Sequence, residues 1–428
     1  MIEKLRGVKD FYPEDYFGRK YIYDNLCSTV SKFGFKEVCT PSIESLDMIT
    51  KKSGQGIVDE IYAFKDKGGR DICLIPELTP SVARMVVQRQ KVLTKPVKWC
   101  SLSRHWRYER PQKGRQREFY QFNVDIFGSR SGRADFEILS CGIECMLGLG
   151  LENFMFHISD RKILDAFFTS IGVPVKEAFT IVDKRSKVTD DDFRDMLFEV
   201  GIDDDGLDTL IGLLDINGTI SECVGMVTEK IGGIGNDVEE ALNNLREIGN
   251  LLEYYGLEDY CKLDLSIVRG LAYYTDMVFE VFDKEKSMRS LFGGGRYDNL
   301  IGLFEGQDMP AVGFAIGIPM LEILMKEEGK WPEADFGPEY FLVTIGDVDL
   351  EAFRIIKLLR GKCKVEYSLG SRSMSKQMNL ANNIGARNVI IMGERDLKEG
   401  LITVKDMVSG TQEKIGLDDF TKKISESG

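Results

Sequence analysis

Histidine is the rarest residue of this 428-residue chain, which contains only His105 and His157. A site built on several imidazoles, for metal binding or for proton transfer, is therefore excluded. The nine cysteines are an odd number, are scattered along the chain and include no CxxC pair. This pattern favours reduced thiols over disulfides or a zinc site, and reduced thiols are typical of a cytoplasmic protein.

Long apolar runs and the common phosphate-binding motifs are also missing. No apolar stretch approaches the roughly 18 residues that cross a bilayer, and the charged segment 1–7 is not followed by an apolar core and a cleavage site. We therefore expect neither a membrane span nor export. The chain has no GxxxxGK(S/T) loop and no GxGxxG turn after a strand, so any nucleotide must be bound by another device.

Positive charge is scarce overall but concentrated in one segment. The net charge of -13 argues against a protein that coats nucleic acid indiscriminately. Between positions 95 and 118, however, eight lysines and arginines stand against two glutamates, which gives a local charge of +6. Such clustering in an acidic chain predicts a binding site for a polyanion.

The first part of the chain has the pattern of an antiparallel sheet behind an N-terminal helix. The polar segment 111–116 joins two strands that contain most of the basic residues. The predicted elements are a helix over 13–33, a strand near 36–40, a hairpin of 61–66 with 71–76, a helix whose N-cap is Thr79 and whose first residue is Pro80, and a hairpin of 97–110 with 117–127.

A helical pattern replaces the strand pattern after the second hairpin, and strand signals return at 263–268 and 277–282. A glycine-rich turn at 293–295 and an apolar stretch at 310–317 follow. We therefore predict an α+β protein whose sheet domain is interrupted by helices. The predicted domains are a split sheet domain over 1–161 and 257–326, a helical insertion over 162–256, a linker over 327–340 and an α/β domain with a mixed sheet over 341–428.

Strand periodicity in the second hairpin predicts a sheet with one apolar and one polar face. Gln121, Asn123 and Asp125 lie on the polar face, together with His105 and Arg107 of the opposite strand. Gln121 and Asp125 are about 13 Å apart along a strand, so they could hold the two ends of a small amphoteric molecule while an arginine binds its carboxylate or a phosphate. A solvated polar sheet face is the alternative interpretation.

Several segments resemble those of a known family, the histidyl-tRNA synthetases. The resemblance extends over nearly the whole chain and implies a class II catalytic domain built on an antiparallel sheet, with a helical insertion and a C-terminal α/β anticodon-binding domain. The matching segments are the motif 2 run from Arg107 to Phe122, the RGLxYYT signature from Arg269 to Thr275, a second histidine-specific segment from Gly294 to Asp298, the opening from Arg6 to Phe11, and the amino-acid-binding turn from Pro76 to Thr79.

The resemblance implies a cytoplasmic homodimer that activates histidine with ATP and transfers it to tRNA(His). It implies catalytic roles for Arg107 and Arg269, and Mg²⁺ that accompanies ATP through unassigned ligands. Because the substrate carboxylate is itself the nucleophile, no general base is needed, and we interpret both histidines as structural. The implied histidine-binding residues are Glu77, Leu78, Thr79, Arg107, Gln121, Asp125, Arg269, Tyr273, Tyr274 and Tyr297, and the implied ATP-binding residues are Arg107, Glu109 and Arg115.

Three positions depart from the family pattern. Motif 3 of the family ends in Gly-x-Glu-Arg-Leu and places its arginine on ATP, whereas the segment from Gly317 to Leu321 has no arginine. Arg115, together with Mg²⁺, could supply that charge. The aspartate that often follows RGL is Ala272 here, and the arginine before Pro-Glu is Ile75.

Two other functions are compatible with parts of this pattern. A noncatalytic paralogue, such as the regulatory subunit of ATP phosphoribosyltransferase, keeps the fold and binds histidine as a signal. Such subunits usually lose parts of the histidine-specific motifs and often the C-terminal domain, whereas this chain keeps Arg269 and the motif 2 arginines. A generic ATP-binding sheet protein is the second alternative. We favour the enzyme.

Overall fold

The computed structural model describes residues 3–53, 59–268, 273–370 and 372–426. The chain forms two compact units, Met1–Pro332 and Glu333–Gly428. None of the described helices combines the length and the apolar character that a membrane span requires. All nine cysteines are free thiols.

A helix and two antiparallel hairpins open the first unit, as predicted. Pro13 is the first residue of the N-terminal helix, and Glu14 and Asp15 lie in its first turn, where carboxylates interact favourably with the helix dipole. Ile22 and Leu26 are buried one turn apart on its inner face. The elements are α1 (Pro13–Lys32), β1 (Lys36–Glu37), β2 (Ile43–Ser45), α2 (Leu46–Ser53), β3 (Ala63–Lys65), β4 (Asp71–Leu74), α3 (Thr79–Arg89), β5 (Val97–Trp106), β6 (Glu118–Phe127), α4 (Gly132–Gly148) and β7 (Met155–Asp160).

Six α-helices follow β7, and their N-termini account for the acidic runs of this segment. Thr189 caps one helix, since its hydroxyl accepts a bond from the backbone N–H of Asp192 at 3.1 Å, and Asp203 caps the next by accepting from Gly206 at 2.8 Å. The aspartates therefore stabilise helix N-termini. The helices are α5 (Arg161–Ser170), α6 (Val175–Val182), α7 (Asp190–Glu199), α8 (Asp204–Leu214), α9 (Ile220–Ile231) and α10 (Asn236–Tyr255).

The chain then returns to the sheet, with two differences from the sequence-based prediction. The strand predicted over 263–268 ends at Leu263, because the side chain of Asp264 accepts the backbone N–H of Ser266 and bends the chain. The predicted glycine turn at 293–295 is wrong, since these glycines lie inside a strand. The elements are β8 (Cys261–Leu263), β9 (Met277–Phe282), β10 (Phe292–Arg296), α11 (Leu300–Leu303), β11 (Ala311–Gly317) and α12 (Ile318–Glu327).

An eight-stranded sheet organises the first unit, with the order β1-β5-β6-β11-β10-β9-β7-β8. Its central strands are antiparallel, and only the pairs β1 with β5 and β7 with β8 at the two edges are parallel. Phe122, Val124 and Ile126 of β6 pack into a hydrophobic cluster with α1, α4 and the inserted helices. A second cluster, built on α3, covers the opposite face. The predicted antiparallel catalytic sheet is confirmed.

The second unit is a five-stranded mixed sheet with helices, which confirms the predicted α/β architecture. Its order is β13-β12-β14-β15-β16, in which β12 is parallel to β13 and β14 and the remaining pairs are antiparallel. The exact domain boundaries stay predictions. The elements are β12 (Tyr340–Ile345), α13 (Asp349–Arg360), β13 (Val365–Tyr367), α14 (Met374–Asn383), β14 (Asn388–Gly393), α15 (Glu394–Lys398), β15 (Leu401–Asp406), β16 (Gln412–Gly416) and α16 (Leu417–Glu426).

Candidate active site

The polar face of the β5–β6 hairpin is buried in its central part. Asn123 and Asp125 expose only 3% and 5% of their surface, and Ser101 and His105 expose 2% and 0%. The alternative interpretation of a solvated sheet face is therefore wrong. Periodicity separated the two faces correctly but could not show that α3 and the tyrosines cover the polar one. Polar side chains that are buried in this way are expected to have partners, either in the protein or in a ligand.

Small residues form the floor of this face beside Asp125. A Cβ atom on Gly313 would lie 2.5 Å from both the Asp125 carboxylate and the Tyr297 hydroxyl, and one on Gly295 would lie 3.0 Å from the Tyr274 ring. Glycine is therefore required where the two strands pass under the side chains. The sequence already showed a row of small residues at this floor. Every second residue of β11 is small and lies on the same sheet face as Asp125: Ala311, Gly313, Ala315 and Gly317.

Asp125 is hydrogen-bonded to one tyrosine of a cluster of three. The hydroxyl of Tyr297 donates to Asp125 Oδ1. Burial, with the charge of Asp125 adding to it, raises the pKa of Tyr297 far above its ordinary value, so this phenol stays neutral. The rings of Tyr273 and Tyr274 lie 6.0 and 6.3 Å from that of Tyr297, and Leu78 packs in the same cluster. The structure thus brings together five of the residues predicted to bind histidine.

A buried ion-pair network fixes the position of Tyr297. The guanidinium of Arg296 contacts Asp135 at 2.6 Å and Asp298 at 3.2 Å, and Asp298 accepts the backbone N–H of Ala311 at 3.1 Å. Burial raises the pKa of Asp135 to about 6, although Arg296 opposes the shift. Tyr297 therefore stands between two residues that are anchored to the sheet and to α4. The role of Arg296 could not be predicted from the sequence, because a lone arginine gives no sign of its buried partners.

The turn at residues 76–79, which is predicted to bind the amino acid, is attached to the end of β5. The side chain of Arg107 donates to the carbonyl of Pro76 at 3.0 Å, and the backbone N–H of Trp106 donates to the carbonyl of Ile75 at 3.1 Å. These bonds hold the turn against the β5–β6 hairpin. The prediction that Thr79 is the N-cap is wrong by one residue, since α3 begins at Thr79 and Pro80 occupies its second position.

The residues predicted to bind ATP form a more open group at the end of the hairpin. Arg115 and Glu109 form an ion pair in which the side chains are 37% and 8% exposed. Burial lowers the pKa of Arg115, and the nearby charges of Arg289 and Arg107 lower it further. Met320, at the motif 3 arginine position, packs its sulfur against Gly114 and leaves no room there for a Cβ atom. Apolar packing under the motif 2 loop replaces that cation.

The two histidines are buried, in agreement with the structural interpretation. The hydroxyl of Ser103 lies 2.7 Å from His105 Nε2, and burial, with the charge of Arg107, lowers the pKa of His105 to about 3. His157 Nδ1 lies 2.7 Å from the carboxylate of Asp264. His105 is therefore uncharged at neutral pH and supports the hairpin beneath the turn.

Arg269, the second predicted catalytic residue, lies outside the described residues, and so do residues 270–272 of the same signature.

Gln121 lies on β6, where it pairs with Ser103 of β5 and Gly317 of β11. It lies on the same sheet face as Asp125, as strand periodicity predicted. In the described parts of the chain, no group of three or more histidine, cysteine, aspartate or glutamate side chains could hold a metal ion.

Comparison with protein families accounts for this arrangement. The family model described as histidyl-tRNA synthetase matches residues 7–321, and a model described as anticodon binding domain matches residues 341–427. The chain belongs to the histidyl-tRNA synthetase family. Curated relatives named histidine–tRNA ligase include one from Haloquadratum walsbyi, 42% identical over 98% of this chain and 97% of its own length, and one from Pyrococcus horikoshii, 38% identical over 99% of each.

Solved structures of histidyl-tRNA synthetases share the fold over the full length. The apo enzyme from S. aureus is 27% identical, with a TM-score of 0.76 over 100% of both chains. The synthetase from Nostoc sp. is 22% identical, with a TM-score of 0.84 over 99% of both chains. A Bacillus halodurans protein described as an ATP phosphoribosyltransferase regulatory subunit/histidyl-tRNA synthetase has a TM-score of 0.78 at 23% identity and covers 92% of this chain. The class II synthetase fold is thus confirmed.

Proposed function

We propose that the chain is a histidine–tRNA ligase. It joins histidine to ATP to form histidyl-adenylate and pyrophosphate, and then transfers histidine to the 3′ end of tRNA(His). The observation that carries this proposal is the bond between Tyr297 and Asp125 inside a buried tyrosine cluster. A buried carboxylate among phenols suits an imidazole, which offers a ring N–H donor and a ring nitrogen acceptor. Relatives about 40% identical over nearly the whole chain carry the same name.

Asp125, Tyr273, Tyr274 and Tyr297 surround the imidazole in this proposal. Asp125 accepts the ring N–H, and Tyr297 holds the carboxylate in place. A substrate without that N–H would not make this hydrogen bond to the buried carboxylate, and the loss of such a bond in a buried site is how polar sites reject close analogues by large factors. The tyrosine cluster also excludes water, so each hydrogen bond is made in a low-dielectric site.

The α-amino and carboxylate groups of histidine lie near the C-terminal end of β5, beside the turn at residues 76–79. Glu77 and Thr79 hold the α-amino group, with Leu78 in the same turn, and Gln121 supports the backbone end. Arg107 binds the α-phosphate, and its bond to the carbonyl of Pro76 links that role to the turn. The substrate carboxylate attacks the α-phosphorus, so the enzyme acts by positioning and charge stabilisation.

Arg115 binds the distal phosphates of ATP, and Glu109 completes the ATP site. ATP is the substrate, and Mg²⁺ fits this arrangement as its companion, because Mg²⁺ in such sites is commonly held by one or two carboxylates together with substrate phosphates. Mg²⁺ would neutralise phosphate charge. Its ligands stay unassigned. Because the motif 3 arginine is absent, Arg115 and Arg107 are the two residues of the β5–β6 hairpin that contact the phosphates of ATP in this proposal.

Arg269 is proposed, from the resemblance alone, to contact the substrate carboxylate and the charge that develops at the α-phosphorus. Arg269→Ala is expected to fold normally and to lose most activation activity, because a cation aimed at developing charge in a dry site lowers the barrier by several kcal/mol. Unchanged turnover in that variant would remove Arg269 from the mechanism.

A homodimer in the cytoplasm, with tRNA(His) bound partly through the C-terminal unit, completes the proposal. The match of residues 341–427 to an anticodon-binding family supports the tRNA contact, and class II synthetases resemble one another in pairing through their catalytic domains. Light scattering should give twice the chain mass of 48.4 kDa. A monomer mass at working concentrations would contradict the dimer.

Pyrophosphate exchange into ATP, measured with each amino acid in turn, tests the proposed function. Exchange with histidine alone, followed by charging of tRNA(His), is the expected result, and it would also show that the missing motif 3 arginine is compensated. Histidine binding in calorimetry without exchange would support the regulatory paralogue instead. Exchange with a different amino acid would refute the assignment of the pocket.

A further inference from the structure

The proposed ATP site has one cation fewer than the family pattern. Met320 occupies the position of the motif 3 arginine, and its sulfur packs against Gly114 of the motif 2 loop. The triphosphate of ATP is a polyanion, and enzymes that transfer phosphoryl or nucleotidyl groups act largely through cations that stabilise its charge. A further positive group at this end of the sheet is therefore expected.

The sheet register brings the β9–β10 loop (residues 283–291) to the same end of the sheet as the motif 3 position. Phe292 of β10 pairs with Ile316 of β11, and the two strands are antiparallel. The chain before Phe292 and the chain after Ile316 therefore extend in the same direction. Arg289 lies three positions beyond this pair and Met320 four. β11 pairs in turn with β6, whose N-terminal end leads back to the motif 2 loop.

Arg289 is a cation without a protein partner near the motif 2 loop. Its side chain is exposed, and among the described residues no carboxylate forms an ion pair with it. Burial is the main cause that lowers the pKa of Arg115, and the charge of Arg289 is the next, followed among the cations by that of Arg107. Three arginines thus gather at this end of the sheet. Like charges repel one another, so such a group favours an anion between them.

The backbone on both sides of Arg289 is fixed. The carboxylate of Asp283, which is 1% exposed, accepts the backbone N–H groups of Ser287 at 2.8 Å and Met288 at 2.9 Å. On the other side, the backbone N–H of Leu291 donates to β9 at 2.7 Å. Binding of an anion by Arg289 therefore costs mainly the freedom of its own side chain.

We propose that Arg289 is a further ATP-binding residue, which contacts the terminal phosphates beside Arg115 and takes the place of the motif 3 arginine. This inference rests on the proposed function of the site and adds a cation that the motif resemblance does not assign. Arginine suits this role, because its planar guanidinium can bind a phosphate through two parallel N–H donors. Arg107 then contacts the α-phosphate, and Arg115 and Arg289 contact the distal phosphates.

Arg289→Ala tests the proposal in two measurements. In pyrophosphate exchange, KM for ATP should rise about 10- to 100-fold, because a hydrogen-bonding cation is lost, while KM for histidine stays unchanged. In calorimetry, the Kd of 5′-O-(histidylsulfamoyl)adenosine should stay within about threefold, since this analogue of the adenylate lacks the two distal phosphates. Arg289→Lys keeps the charge and should show a smaller rise in KM for ATP.

Lys284→Ala is the matched control. Lys284 is an exposed cation of the same loop, but its charge is not among those that shift the pKa of Arg115. This variant should leave KM for ATP and the Kd of the analogue unchanged. An unchanged KM for ATP in Arg289→Ala would overturn the proposal. Equal weakening of ATP and of the adenylate analogue would also overturn it, because the effect would then lie outside the distal phosphates. A wild type that does not exchange with histidine refutes the proposed function itself, which is a separate outcome.

Discussion

The two ends of the candidate site are built differently. At the proposed histidine end, Asp125 and Tyr297 are 5% and 3% exposed and already bonded to each other. At the proposed phosphate end, the side chain of Arg115 is 37% exposed and paired with Glu109. The first end is a rigid pocket whose neighbours are fixed by the sheet. The second is a loop in which, under the proposed function, Arg115 exchanges Glu109 for a phosphate of ATP.

This structural difference matches the function proposed for each end, amino-acid selection at one and phosphate binding at the other. Discrimination between amino acids needs desolvated groups in fixed positions, since an unpaired polar group is costly only where water cannot reach it. Binding of phosphates needs positive charge that can rearrange. Solvent screening weakens the attraction between the partly exposed Arg115 and Glu109, so their ion pair can be exchanged for one with a phosphate. Substitutions at the histidine end should therefore lower kcat/KM for histidine strongly. Substitutions at the phosphate end should raise KM for ATP moderately.

The largest effect is expected from Asp125→Ala. It removes the acceptor for the imidazole N–H and leaves the Tyr297 hydroxyl without its partner. We expect kcat/KM for histidine in pyrophosphate exchange to fall about 10³-fold or more, with KM for ATP unchanged. Asp71→Ala, an exposed carboxylate paired with Lys65, is the control and should behave as wild type. Equal losses for both substrates would argue that Asp125 is only structural.

Gly313→Ala tests the floor of the same end. Its Cβ would lie 2.5 Å from the Asp125 carboxylate and the Tyr297 hydroxyl, so the two side chains must move apart. Because misplacement of positioning groups by about 1 Å can cost about 10²-fold, we expect kcat/KM for histidine to fall by that factor. Gly302→Ala, where the added Cβ meets no atom within 4 Å, should leave it unchanged. A fully active Gly313→Ala would show that the site is less rigid than described.

Arg115→Ala addresses the phosphate end. The loss of a hydrogen-bonding cation is expected to raise KM for ATP about 10- to 100-fold, while KM for histidine stays unchanged. Lys113→Ala, in the same loop, removes a cation that is paired with Glu327 and 71% exposed, so it should change neither constant. A rise in KM for histidine in Arg115→Ala would show that the two ends are not separable.

His105→Gln should change the pH dependence of stability more than activity. Burial lowers the pKa of His105 from 6.5 to about 3 in the folded state, so below pH 6.5 only the unfolded chain takes up the proton. The stabilisation is complete above pH 6.5 and is lost as the pH falls toward 3, by about 1.4 kcal/mol per pH unit. Urea unfolding at pH 7 and pH 5 should show about 2 kcal/mol less acid destabilisation in the variant than in wild type. Parallel curves would contradict this assignment.

The sequence predicted the antiparallel sheet and the grouping of Asp125 with the tyrosines, because strand alternation and sequence motifs are local patterns, while the histidine-binding roles of these residues stay predictions. Strand alternation identified the face that carries Gln121 and Asp125, and the motif resemblance selected Tyr297. The burial of that face could not be predicted from the hairpin alone, since it depends on α3 and on tyrosines about 150 residues away in the chain, brought together by the pairing of β6 with β11.

Three other features could not be predicted, because they depend on contacts between distant parts of the chain. The glycines at 293–295 were predicted to form a turn, because glycine usually ends strands, but here close packing against neighbouring backbone and rings requires them inside β10. Arg296 was not singled out, since its partner Asp135 lies 161 positions away. Asn123 was placed on the correct face but received no role, because only the three-dimensional structure shows that its amide oxygen is buried without a partner among the described residues.

A crystal structure with histidine and a nonhydrolysable ATP analogue tests the central claim most directly. We predict that the imidazole lies against the Asp125 carboxylate within the tyrosine cluster, with Tyr297 hardly displaced, and that Arg115 leaves Glu109 to contact the phosphates. An imidazole bound away from Asp125, or a histidine end that rearranges as much as the Arg115 loop, would contradict the account of one preformed end and one adjustable end.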